Sequence, residues 1–355
     1  MPLIGYCFPG EGSTNDRGGM KRPTIADIAK AAGVSKGAVS YALNGRPGVA
    51  ESTRARILEI AQSLGWAPSS AARALSDGRA GALGLVIDRP ARVLAAEPYF
   101  MHLLAGIEAA LTGSPFALLL QVTDNASAEL ATYRRWWAER RVDGVLLVDL
   151  RVDDPRVPLL AEMGLPAVVL GGPDGVGGLP CVWTDDGVAM TEVLRYLAAL
   201  GHRRVVRVAG PPEFVHTRTR TNAFEAEAVA LGLDATTVHA DYSDEGAAVV
   251  VRRILTAGDA PTAMVFDNDV MAVAALGVAQ ELGLPVPERL SLIAWDDSTL
   301  CRLVRPALTA VRRPIYERGT DAVRLLLAAI AGERPADVRT EQPVLVARAS
   351  TGRRH

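Results

Sequence analysis

The sequence predicts an all-α helix-turn-helix headpiece joined by a hinge to an α/β core of two parallel-sheet subdomains. Three observations point to it. Residues 24–65 contain three short stretches with helical apolar spacing, separated by Gly- and Asn-containing turns. From Gly81 onward short apolar runs alternate with amphipathic stretches, the pattern of parallel strands covered by helices on both faces. The charge is also unevenly spread. Between Met20 and Ala80 nine Lys/Arg stand against four acids, whereas the 355-residue chain as a whole has net charge −2. A basic module on an acidic body leaves only the module suited to a polyanion.

Taken in order, residues 1–19 are Gly-rich and aperiodic, and are expected to be a disordered leader. Lys21-Arg22-Pro23-Thr24 follows Met20 directly, so Met20 is expected to be the true start. The DNA-binding domain is expected over 20–67. Thr24 can cap a first helix with Ile25, Ile28 and Ala29 on one face, and Gly33 stops it. Ser35 can cap a second, with Ala38, Val39 and Ala42 inward. Asn44-Gly45-Arg46-Pro47-Gly48 forms a turn, and a third helix carries Ile57, Ile60, Ala61 and Leu64. Ala29 and Gly33 let the first two helices approach steeply, as a helix-turn-helix requires. The second helix would then enter a major groove by its N-terminal end. Ser35, Lys36, Gly37, Ser40 and Tyr41 point outward there. Lys36 can donate to guanine, while Ser35, Ser40 and Tyr41 can reach phosphate or base edges. Thr24, Asn44, Thr53 and Arg54 complete the expected DNA-facing set, Thr53 and Arg54 through phosphate near the start of helix three. A hinge is expected over 68–80. Its residues favour helix, but it is too short to be stable alone.

The core is expected over 81–355. Strands are predicted at 83–87, 117–121, 144–148, 167–170, 205–208, 263–266 and 290–294. Helices are predicted at 99–112, 127–140, 187–200, 219–231, 243–257, 268–282 and 315–330. Two halves are expected, about 81–183 with 315–342 and about 184–314 with 343–355, linked by crossings near 183, 314 and 342. Ligands of such sheets sit beyond the carboxyl ends of the strands, which places a site in the cleft between the halves.

Other classes find little support. No apolar run approaches the roughly 18 residues of a membrane span. The N-terminus lacks the basic and apolar regions of a secretion signal. Cys7, Cys181 and Cys301 are odd in number and far apart, as expected of free thiols in a cytoplasmic protein. There is no P-loop, HExxH or CxxC, and His102, His202, His216, His239 and His355 have no ligand spacing. Neither catalysis nor a cofactor nor a metal is expected. Asp267-Asn268-Asp269 could suggest a metal cluster, but its place before a helix suits capping.

The run from Arg22 to Leu75, including Gly65-Trp66-Ala67-Pro68 and Ala72-Arg73-Ala74-Leu75, resembles the headpiece and hinge of the lactose/galactose repressor (LacI/GalR) family. The resemblance implies a hinge helix on DNA, with Leu75 a minor-groove wedge and Ala72 a close-approach position between two hinge helices. Two residues depart from the family pattern. Tyr41 stands where arginine is frequent. Ala50 replaces the usual Ser or Thr cap of helix three, leaving Glu51 or Ser52 to help.

From Leu83 to about Val346 the chain resembles the family's periplasmic-binding-protein-like core. The motifs are Pro98-Tyr99-Phe100, Leu200-Gly201-His202, Ala209-Gly210-Pro211, Thr217-Arg218-Thr219-Arg220, Phe266-Asp267-Asn268-Asp269 and Ala294-Trp295-Asp296-Asp297. The resemblance implies that Arg220 grips an effector with Asp296 opposite it, and that Tyr242 stacks on the ligand. It also implies cleft positions for Tyr99, Phe100, Phe214 and His216, while Asp88, just past the first strand, is also expected there. A guanidinium fork facing a carboxylate suits a polyhydroxylated ligand. The expected whole is a cytoplasmic homodimer that binds near-palindromic double-stranded DNA, a repressor controlled by a sugar or sugar derivative, with no membrane partner. Control by a corepressor or a protein partner, or a sugar-binding role in transport, are the alternatives.

Overall fold

The structure, a computed structural model, describes residues 22–66 and 78–354; the expected leader, Ala72, Leu75 and most of the expected hinge lie outside the described residues. The chain divides into two compact units between Ser76 and Asp77.

In the first unit, α1 (Ile25–Ala32), α2 (Lys36–Leu43) and α3 (Glu51–Ser63) surround a small apolar centre. Thr24 and Asp27 form a capping box at the start of α1, and Gly33 ends it in the left-handed region at φ 64°. Ser35 caps α2 by accepting from the Ala38 N–H at 3.1 Å. Ile28, Ala29, Ala32, Val39, Ala42, Ile57 and Ala61 are buried. Ile25 and Leu64, expected inward, are exposed, because three short helices enclose only the middle of each apolar stripe. The α3 N-terminus has no side-chain cap at all. Glu51 offers it only a favourable charge in the first turn.

In the second unit, one six-stranded sheet has the order β11-β5-β4-β3-β1-β2. Its strands are β1 (Ala82–Asp88), β2 (Ala117–Thr123), β3 (Gly144–Leu147), β4 (Ala167–Leu170), β5 (Cys181–Trp183) and β11 (Val338–Arg339), all parallel. The other sheet has the order β12-β10-β9-β8-β6-β7. It comprises β6 (Arg204–Ala209), β7 (Asp234–His239), β8 (Ala263–Phe266), β9 (Ser291–Asp296), β10 (Thr309–Arg312) and β12 (Val344–Val346). The helices that concern the site are α5 (Pro98–Leu111), α8 (Asp186–Ala199), α9 (Val215–Leu231), α11 (Asp269–Glu281) and α13 (Ile315–Ile330); α4 (Ala91–Ala96), α6 (Ala126–Ala138), α7 (Arg156–Glu162), α10 (Asp244–Leu255) and α12 (Thr299–Leu303) complete the set among the described residues. Among the described helices, none is long and apolar enough to cross a membrane.

The chain crosses between sheets after β5, β10 and β11. Strands β1 to β5 and β6 to β10 end at the cleft, so a chain leaving β11 at that edge enters β12 there and runs away from it. That is why β12 is antiparallel to β10 in sheets expected to be wholly parallel. Edge strand β7 escapes the sequence reading because Asp-Ala-Thr-Thr-Val-His is largely polar and only partly buried. The short helices α4, α7 and α12 escape it because five to seven residues show no period.

Helices α5 and α13 cross at glycine contacts. A Cβ on Gly106 would sit 2.0 Å from the Tyr316 carbonyl oxygen, and one on Gly319 would sit 2.5 Å from that of Leu103. This crossing brings the N-terminal turns of both helices, with Tyr99 and Arg318, to the cleft.

Candidate functional site

On the headpiece, Ser35, Lys36, Gly37, Tyr41 and Asn44 are exposed, and Ser40 and Thr53 are half-buried. Several of these side chains are engaged within the unit. The Thr24 hydroxyl donates to Asp27 Oδ2 at 2.7 Å, and Ser35 Oγ is the α2 cap. Asn44 Nδ2 donates to Ser40 Oγ at 3.4 Å. Arg54 Nη2 donates to the Arg46 carbonyl at 2.7 Å and so ties α3 to the turn after α2. Tyr41, 46% exposed, lays its ring edge against Gly48. Lys36, in the first turn of α2, is exposed to solvent.

A cleft lies between the two sheets of the second unit. Its polar walls come from the carboxyl ends of strands: Arg89 after β1, Asp149 after β3, Asp267 after β8, Asp296 at the end of β9 and Arg313 after β10. Of the eight side chains expected at the effector site, Tyr99, His216, Arg220, Tyr242 and Asp296 line this cleft. Phe214 lies immediately behind, its ring stacked 5.4 Å from that of His216. Two do not belong to it. Phe100 is buried among Leu103, Ile107 and Leu146, because on α5 it points into the core whereas its neighbour Tyr99 faces the cleft. Asp88 turns away to accept from Arg151 at 2.7 Å. It joins a buried chain of ion pairs through Glu129 and Arg156 to Asp154.

Arg220 and Asp296 are not paired with each other. Arg220 donates through Nε to Asp186 Oδ2 at 2.8 Å, and its Nη2 lies 2.7 Å from the same oxygen. Its guanidinium rests 4.5 Å from the Trp295 ring centroid. Asp296 accepts from Arg313 Nη1 at 2.8 Å, and Arg313 Nε reaches Asp186 Oδ1 at 3.4 Å. Asp267 is held by Arg207 at 2.6 Å in a fully buried pair. The result is an alternating row of guanidiniums and carboxylates. Burial pushes the Asp186 carboxyl up, but Arg220 and Arg313 outweigh it and hold that carboxyl well below the usual range. Burial, reinforced by the Arg220 charge, pushes the His216 imidazole well below its usual range and keeps it neutral. His216 Nε2 lies 2.8 Å from the Tyr242 hydroxyl.

One occupant of the cleft comes from the chain itself. The Arg89 guanidinium lies 4.6 Å from the Tyr242 ring centroid and 4.8 Å from that of Phe214, while its Nη2 reaches Asp149 at 3.0 Å. It thus bridges the two halves over the aromatic surface expected to stack on a ligand. Backbone bonds reinforce the closure: Val152 N–H donates to the Glu213 carbonyl and Val215 N–H to that of Leu150, both at 2.8 Å. Three cleft residues, Asp149, Tyr242 and Asp296, have positive φ. Such strain persists where surrounding structure over-determines it. Tyr242 fits only because residue 210 is glycine, since a Cβ there would lie 2.1 Å from the Tyr242 hydroxyl.

Asn268 and Asp269 have structural partners, as their place at the start of a helix suggests. Asn268 caps α11 through the Met271 N–H, and Asp269 accepts from the Ser298 N–H at 2.6 Å. His202 joins Thr262 Oγ1 at 2.9 Å and the Gly352 carbonyl at 3.2 Å. Residues 89, 97, 149, 186, 267, 313 and 318 were not singled out as effector contacts from sequence. Applying the carboxyl-end rule to every strand in turn finds Arg89, Asp149, Asp267 and Arg313.

Glu97, buried before α5, is among the residues so missed. Its Oε1 lies 3.5 Å from Asn268 Nδ2 across the cleft, and Oε2 has no hydrogen-bond partner. Burial raises its carboxyl from 4.5 to about 7, against the pull of Arg89. As pH rises from 4.5 to about 7 the unfolded chain releases this proton before the folded one does, so this group's ionisation lowers stability across that window. Glu97→Gln removes the effect. The melting temperature of the variant minus that of the wild type is expected to rise with pH from 4.5 to 7; a constant difference contradicts it.

Comparison with known proteins gives this architecture its class. Residues 24–69 match the family described as bacterial regulatory proteins, lacI family, and residues 194–351 match the periplasmic binding protein-like domain. The chain is 32% identical over 324 residues to the HTH-type transcriptional regulator CelR of Thermobifida fusca, covering 90% of this chain and 95% of that one. It is 33% identical over 340 residues to the HTH-type transcriptional regulator MalR of Streptomyces coelicolor, covering 92% and 96%. A solved complex of the regulator CelR with cellobiose has 30% identity and a TM-score of 0.70, covering 93% of this chain and 100% of the other. The chain belongs to the LacI family of bacterial regulatory proteins: it is a helix-turn-helix transcriptional regulator with a periplasmic-binding-like core.

Proposed function

We propose that this regulator is a repressor whose operator binding is controlled by a small polyhydroxylated effector, a sugar or sugar derivative, held in the cleft between the two sheets. The observation that carries this reading is the row of paired guanidiniums and carboxylates around Tyr242, at the carboxyl ends of both sheets. Vicinal hydroxyls both donate and accept, so they can enter such a row without leaving either charge unpaired. The relative solved with cellobiose supports the same ligand class. Stacking of a sugar ring on Tyr242 requires Arg89 to leave that surface, which couples ligand entry to the bond bridging the halves.

The division into halves at about 81–183 with 315–342, and 184–314 with 343–355, carries this control. A ligand that changes the angle between them alters operator affinity only through its different affinity for the two states. DNA contacts are assigned to Lys36, Ser40, Tyr41 and Gly37 on the recognition helix, with Thr53 and Asn44 beside it. Thr24, Ser35 and Arg54 also belong to this face, and their internal bonds fix its shape. Two copies bind a near-palindromic site, since two-fold protein symmetry matches two-fold DNA. The protein acts in the cytoplasm and needs no catalysis.

A panel of sugars and nucleosides in thermal-shift assays, with hits repeated on operator fragments captured from genomic DNA, tests the reading. A sugar that stabilises the chain and releases DNA supports it. A sugar that tightens DNA binding makes the effector a corepressor. Stabilisation by nucleosides but by no sugar contradicts it. Leu75→Ala is expected to weaken operator binding far more than binding to random DNA. Equal loss on both contradicts the wedge role.

A further inference from the structure

Five arginines are buried among the described residues, and four pair with carboxylates: Arg89 with Asp149, Arg156 with Glu129 and Asp154, Arg207 with Asp267, and Arg220 with Asp186. The fifth, Arg318, is 4% exposed, lines the cleft and has no carboxylate within 4 Å. Its Nη1 reaches the Tyr99 hydroxyl at 3.5 Å, and its Nε is buried with no acceptor. Its charge acts on Asp186 only from beyond 4 Å, and a buried cation without a carboxylate in contact is costly. Its place on the chain adds to the cost, because Arg318 is in the first turn of the 16-residue α13, where the helix dipole is positive. The cap residue, Pro314, offers no side-chain acceptor, and the first N–H groups of a helix have no intrahelical partners. Both features that disfavour a cation here favour an anion.

Five carboxyl groups line the cleft, and one of them, Glu97, has no guanidinium within 4 Å. Asp149, Asp186, Asp267 and Asp296 are each held by one or two guanidiniums. Arg318 is the one buried guanidinium among the described residues with no carboxylate within 4 Å. We propose that Arg318, with the N-terminal turn of α13, forms an anion subsite within the cleft, so that the effector is an acidic sugar carrying a carboxylate or a phosphate. This rests on the cleft being the effector site.

The test is a thermal-shift comparison of the full chain in inorganic phosphate and in chloride at matched ionic strength, for wild type, Arg318→Met and Arg318→Lys. Phosphate is expected to raise the melting temperature of the wild type and, more weakly, of Arg318→Lys, but not of Arg318→Met. In chloride, Arg318→Met is expected to melt higher than the wild type, because it removes an unpaired buried charge. Equal phosphate shifts in all three proteins, no shift in any, or a lower melting temperature for Arg318→Met in chloride overturn the subsite. The readout needs no sugar, so it can fail while the sugar reading stands, or succeed while that reading falls. Glucose, glucuronate and glucose 6-phosphate, titrated next, separate the sources. Tighter binding of either acidic sugar than of glucose supports the proposal and identifies its anion. Glucose binding as tightly as both contradicts it.

Discussion

Arg220→Ala is expected to abolish the response of DNA binding to effector while leaving operator affinity without effector nearly unchanged. Arg220 joins Asp186, on α8, to the backbone and side chain of Asp267, so its loss opens the row of charges at its centre. Asp186 keeps Arg313, and Asp267 keeps Arg207, which limits the damage. Breaking a buried pair costs ~3–5 kcal/mol when the remaining charge is stranded, and the lower end applies here. In the wild type, coupling between two sites is typically worth 1–3 kcal/mol, about a 5- to 150-fold change in affinity. The variant should show about none of it. Calorimetry with a confirmed ligand, beside operator titration, separates lost binding from lost coupling.

Gly106→Val is expected to cause the largest loss of stability. The α5–α13 crossing has backbone against backbone, and a side chain at residue 106 must push Tyr316 away. Overpacking usually costs 1–3 kcal/mol. Here the obstacle is a carbonyl group in a helix and not a flexible side chain, so at least about 3 kcal/mol is expected. For a core of this size that is a fall of ~6–12 °C in melting temperature. The function should suffer too, because the same crossing holds Tyr99 and Arg318 at the cleft. A melting temperature within about 2 °C of the wild type contradicts this account of the crossing.

The regular parts of this fold were legible because their residues repeat. Predicted helices at 187–200 and 315–330 fall within a residue of Asp186–Ala199 and on Ile315–Ile330. Their apolar stripes face a sheet, so periodicity reports burial directly. β7 and the short helices left no such record. The cleft shows a different limit. Sequence and resemblance placed Arg220, Tyr242, His216 and Asp296 there, and the structure brings them together. Which charge meets which was not legible. Arg220, on α9, pairs with Asp186 at the start of α8, 34 residues away, and Arg313 with Asp296 at the ends of neighbouring strands, because residues distant in sequence converge only in the folded core. Phe100 was misplaced for a local reason. A helix turns about 100° between neighbours, so Tyr99 can face the cleft while Phe100 faces the core. Asp88 is drawn aside by Arg151, a partner 63 residues further on.

The central claim, that occupancy of the charged cleft governs DNA binding, is tested most directly by measuring operator affinity of the wild type and Arg220→Ala across a titration of a ligand shown to stabilise the wild type. The wild-type affinity should shift by about one to two orders of magnitude and the variant's should stay constant. A ligand that saturates the wild-type cleft without changing operator affinity, or that shifts both proteins equally, contradicts the claim.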